Sequence, residues 1–245
     1  MKGALLTAAS LTLLLLSFTS KAEISTKDLP SMGNLAKLIG QADESVVEDN
    51  IYNDEGKISA ELPVEDSARG TTALEIATLL SQGDSGVQQN LVTGIEDARV
   101  AFEDYLTKAN FEVQDMGVGL AASFIVLWEL ASNTTLPDAS ALKAGKFLVH
   151  SFKGTVNDYS AIPAEDIALL YDWTMTTPVA FGSMVKSLEA EGATEDARVL
   201  RQKSAELFVE LFKFPHDLFT VSEDGNLDFN VDGMIEYQEE NQISW

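Results

Sequence analysis

Residues 116–131 read MGVGLAASFIVLWELA, with no charged side chain before Glu129. A helix apolar nearly all round has no stripe to show to water and must be buried on every side. Its uncharged part, 116–128, spans only about 20 Å at ~1.5 Å per residue, well short of the ~30 Å hydrocarbon core of a bilayer. The run therefore predicts a central helix packed among others, with Asp115 placed to cap its first turn.

The neighbouring segments have the matching periodicity. Over 88–108, Leu91, Ile95, Ala98, Phe102 and Leu106 recur at spacings of three and four, with charges on the other face. Leu74, Ala77 and Leu80 line one side of a shorter helix over 73–81, with Thr71 or Thr72 as its cap. Pro137-Asp138 opens a helix through Leu142, Lys146, Val149 and Phe152 that stops near Gly154. Pro163-Ala164-Glu165-Asp166 opens another, since Pro suits a first turn and acids suit a helix N-terminus. That helix should kink or break near Pro178, which lacks an N–H, and end at Gly192. A last helix, capped by Thr194, presents Val199, Leu200, Leu207, Phe208 and Leu211 and is stopped by Pro215. No segment shows convincing strand periodicity. The predicted fold is all-α: one domain of five or six helices around a buried central helix, covering 71–220.

Residues 1–22 read as a secretory signal peptide. Lys2 precedes an apolar core centred on Leu13–Leu16, and Ser20-Lys21-Ala22 places small residues at −3 and −1 of the cleavage point. The mature chain is expected to begin at Glu23, to be secreted or periplasmic, and to make no stable membrane insertion. Residues 23–70, acidic and broken by Pro30, Gly33 and Gly40, read as a loosely ordered segment, with a turn around Gly56. Without Lys2 and Lys21, 39 acidic residues face 14 basic ones, a net charge of −25. Such a field repels nucleic acid and anionic surfaces and suits metal cations or a basic protein partner. The absence of cysteine rules out disulfide staples and thiolate metal sites.

The C-terminal segment, 221–245, contains the clearest motif. Residues 228–239, DFNVDGMIEYQE, fit the calcium-loop pattern D-x-[DN]-x-[DN]-G-x5-E at every specified position. Asp228, Asn230 and Asp232 supply oxygens at positions 1, 3 and 5, and Gly233 occupies the sharp turn at position 6. Met234 offers its carbonyl at 7, Glu236 acts at 9, and Glu239 closes the site at 12. The preceding residues 222–227 read as a turn, so the segment resembles an isolated dockerin-type loop more than a paired EF-hand.

Other chemistry is sparse. Glu129 is the one acid in the most apolar helix, a position that suits a general acid with a raised pKa, an outward-pointing side chain, or a partner for Lys143 or Lys146. His150 and Ser151 are adjacent, and neighbours on a helix do not face each other. His216 follows Pro215 at a helix end, where a cationic imidazole suits the dipole. Trp128, Tyr171, Trp173, Phe181, Phe208 and Phe212 fall on helices as core residues. No HExxH, phosphate-binding loop or basic strip is present.

The order of elements over 88–214 has a further implication. An acidic amphipathic helix precedes the small-residue run Ala121-Ala122-Ser123-Phe124-Ile125-Val126-Leu127-Trp128; a Pro-Asp entry follows, then Ile162-Pro163-Ala164-Glu165-Asp166 before Leu169-Leu170-Tyr171. This resembles a bacterial family of uncharacterised secreted helical proteins with no assigned activity, a resemblance that implies fold and export only. The expected function is a non-enzymatic exported protein that binds calcium through 228–239. The alternatives are an acidic inhibitor or immunity-type protein for a basic secreted enzyme, and a cell-wall hydrolase using Glu129.

Overall fold

The computed structural model describes residues 55–155, 162–222 and 227–241, and these form six amphipathic or apolar helices and a short C-terminal hairpin with its own helix. In chain order these are α1 (Thr71–Ser81), α2 (Ser85–Lys108), α3 (Met116–Ser132), α4 (Asp138–Thr155), α5 (Ala164–Ala190) and α6 (Thr194–Phe212). A 3-10 turn (His216–Leu218), β1 (Phe219–Val221), β2 (Leu227–Phe229) and α7 (Val231–Asn241) follow. The predicted signal peptide and the residues up to 54 lie outside the described residues.

The central helix is where its composition places it. The Asp115 carboxylate accepts from the Val118 N–H at 3.0 Å and starts α3, while Asn133 ends it in the left-handed conformation, φ 53°. Met116, Val118, Phe124, Leu127 and Trp128 are buried, and α4, α5 and α6 pack around the helix. Two glycines set how closely they approach. A Cβ on Gly119 would lie 2.9 Å from Thr174 Oγ1 of α5, and one on Gly117 would lie 2.3 Å from the Ala60 Cβ. Any larger residue would push these neighbours off α3.

The contact at Gly117 involves the C-terminal end of the segment expected to be loosely ordered. Residues 57–64 belong to the packed body. Ile58, Ala60 and Val64 are buried, and the strip bonds to the α2–α3 connection: Ile58 N–H to Asn110 O (2.8 Å), Glu112 N–H to Ile58 O (2.9 Å), Met116 N–H to Leu62 O (2.9 Å). Asp115 holds it as well, accepting from Ser59 Oγ at 2.7 Å and Leu62 N at 3.0 Å.

α1 lies against α2 and α5, turned relative to the expected face. Ala73, Ile76, Ala77 and Leu80 are buried, whereas Leu74 is 51% exposed. Neither Thr71 nor Thr72 caps it; the cap comes from α5, as described below. Thr194 is the first residue of α6 and makes no side-chain cap. α6 ends at Phe212 with Lys213 in the left-handed conformation, before Pro215 is reached.

α5 runs through Pro178 without a break. Proline deprives the Thr174 carbonyl, four residues back, of its helical donor. Ser123 of α3 supplies one instead, its hydroxyl donating to Thr174 O at 2.7 Å. The expected interruption is thus absorbed by a neighbouring helix.

The strands also depart from expectation. β1 and β2 pair antiparallel, Phe219 opposite Phe229 and Val221 opposite Leu227. Their aromatics extend a cluster on α3 and α6, with Phe124 in edge contact with Phe208 (4.8 Å), Phe212 (4.9 Å) and Phe219 (5.0 Å) between ring centres. Phe229 lies 4.9 Å from Phe219. Such pairs contribute about 0.5–1.5 kcal/mol each beyond burial, which explains why three-residue strands persist here. No described helix is long and apolar enough to cross a membrane.

Candidate functional site

The segment matching the calcium pattern is folded as strand, turn and helix. Asp228 lies in β2, opposite Thr220. α7 starts at Val231, so positions 4 to 12 of the expected loop are helical. Asn230 acts as the helix cap: its side-chain oxygen accepts from the Gly233 N–H at 3.0 Å, and its own N–H donates to Leu218 O at 2.8 Å. Gly233 sits in the first turn of α7 rather than at a sharp bend. A Cβ there would meet Leu218 Cδ2 at 2.9 Å and Asn230 Nδ2 at 2.6 Å, so the glycine serves the docking of α7 on the 3-10 turn.

A calcium ion takes 6–8 oxygens converging on one point. The described side chains of this segment do not converge in that way. Asn230 is engaged as a cap, and helical geometry directs the Met234 carbonyl along the axis toward the N–H four residues on. Asp232 and Glu236 are exposed, one turn apart on the helix, with Asp228 back on the strand. Glu239 is in the last turns of α7. Among the described residues no group of three or more His, Asp or Glu side chains is arranged to hold a metal.

Glu129 is half-buried near the end of α3. Its Oε1 accepts from the Leu136 N–H at 2.7 Å and so ties down the α3–α4 connection. Burial pushes its carboxyl above the ordinary range, partly offset by the Leu136 N–H and by Lys186. His150 and Ser151 form no dyad. Ser151 Oγ donates back to Phe147 O at 3.0 Å, and His150 Nδ1 is buried without a recorded partner. His216 is not a cationic helix cap either. It opens the 3-10 turn, burial lowers its pKa, and its carbonyl accepts from Trp128 Nε1 at 3.0 Å. Trp128, Tyr171, Phe181, Phe208 and Phe212 are core residues, as expected.

The most organised polar cluster escaped the sequence reading. Arg99 of α2 is fully buried and donates to Asp172 of α5, to Asp66 at 3.0 Å and to Glu103 at 2.9 Å. Arg69 joins Asp66 and Glu103 from outside, each at 3.0 Å. Burial alone would weaken the Arg99 charge; Asp66, Asp172 and Glu103 outweigh it and raise the pKa. Asp172, also fully buried, accepts from Gly70 N at 3.1 Å and Thr72 N at 2.8 Å. It thereby caps α1 from a distant helix. The available signal was register: Arg99 stands four residues after Ile95 and three before Phe102, on the stripe that is buried. The cluster joins α1, α2 and α5.

No protein-family model, no curated protein and no solved structure matches this chain, and the resemblance to uncharacterised secreted helical proteins rests on its residues alone.

Proposed function

We propose that the chain is a non-enzymatic, exported interaction module that recognises a cationic partner, namely a basic protein surface. The observation that carries this reading is the sorting of charge. Acids outnumber bases 39 to 16 in the whole chain, and many of the bases are occupied internally. Arg69 and Arg99 are held in the cluster, Lys57, Lys153 and Arg201 pair with Glu112, Glu61 and Glu189, and Arg198 and Lys203 pair along α6. The surface field is therefore strongly negative, which steers a basic partner and makes the encounter sensitive to salt. The buried acids Asp115 and Asp172 and the half-buried Glu129 are engaged with backbone N–H groups, a use that leaves them poor candidates for acid–base chemistry.

The test is affinity capture on the mature chain, residues 23–245, from the exported fraction of its source, followed by binding measurements on the purified partner. A basic partner whose affinity falls steeply with salt supports the reading. A partner indifferent to salt, or none at low salt, removes it.

Calcium at Asp228, Asn230, Asp232, Met234, Glu236 and Glu239 is the second reading, favoured by the full pattern match. It requires the first turns of α7 to unwind, because Asn230 cannot both cap the helix and ligate the ion. Calorimetric titration after chelation, with magnesium as control and circular dichroism in parallel, tests it. Selective heat with loss of helix supports calcium; no heat at millimolar calcium ends it.

A further inference from the structure

We draw no further inference here: the strongest candidate, the outer face of α7 where Asp232, Glu236 and Glu240 line up beside the exposed Ile235, is an acidic cluster on a helix with no second observation pointing to a ligand, and nothing among the described residues shows what covers it.

Discussion

Pro178 removes an N–H from the middle of α5, and the Ser123 hydroxyl replaces it from α3. Ser123→Ala should leave the buried Thr174 carbonyl unsatisfied, at a cost of about 1–3 kcal/mol. In a Pro178→Ala background the helix regains its own donor to Thr174, so the same substitution should cost markedly less. Urea denaturation of the four proteins in this cycle measures the coupling, and additive effects would separate the serine from the proline. Glu129 gives a residue-scale prediction with a sign. Its folded pKa lies above the 4.5 of a free glutamate because burial disfavours the charge. The folded chain holds that proton more tightly than the unfolded chain. The associated stability is full below the unfolded value and is lost as pH rises through the folded one. Glu129→Gln keeps an acceptor for the Leu136 N–H and should flatten the stability profile over this window, read from urea midpoints between about pH 4 and pH 7. An unchanged profile would show that the carboxyl titrates as in water.

α1 depends on a side chain a hundred positions away, since Asp172 caps its first turn while neutralising Arg99. Asp172→Ala should destabilise the fold by about 3–5 kcal/mol, as for other broken buried pairs. An apolar Arg99→Met/Asp172→Leu pair should recover part of this loss and no more, because the Gly70 and Thr72 N–H groups remain uncapped. Full recovery in thermal melts would deny the capping role. At the other end of the chain, Asn230→Ala should cost α7 about 1 kcal/mol and speed amide exchange over 231–241 more than in α3. These elements mark the limit of what was legible in the residues. α3 was readable because sixteen nearly uncharged residues have one physical solution, and Asp115 caps within its own segment. The α1 cap was not, because its partner is distant in sequence, and Leu74 misled because an eleven-residue helix offers few positions to fix its face. Three-residue strands carry too little period to detect. The strip 57–64 looked loose by composition, yet backbone bonds and three small or aliphatic side chains hold it. The 228–239 motif was legible and ambiguous. Asn at a cap, Asp in a first turn and Gly at a close approach are what a docked helix start requires, and calcium loops draw on the same residue types.

At the scale of the molecule, charge dominates. Acids outnumber bases 39 to 16, which makes the compact chain repel itself more than the expanded unfolded one, so screening favours folding. Raising sodium chloride from about 0.01 to 0.15 M shortens the Debye length from ~30 to ~8 Å, and the melting temperature should rise. That rise reports the whole field and identifies no site. Divalent ions separate the two. Acting only as a counterion cloud, magnesium and calcium at equal ionic strength should raise the melting temperature alike. An ion bound at a defined site adds RT ln(1 + [L]/Kd), about 1.4 kcal/mol at ten times Kd, and calcium would then exceed magnesium by several degrees. Equal shifts would make Asp228 and Glu239 part of a general acidic surface, the surface a basic protein partner would meet. A calcium excess that disappears in the Asp228→Ala/Glu239→Gln variant would instead assign the ion to this segment, and the bound state would have to contain a refolded α7.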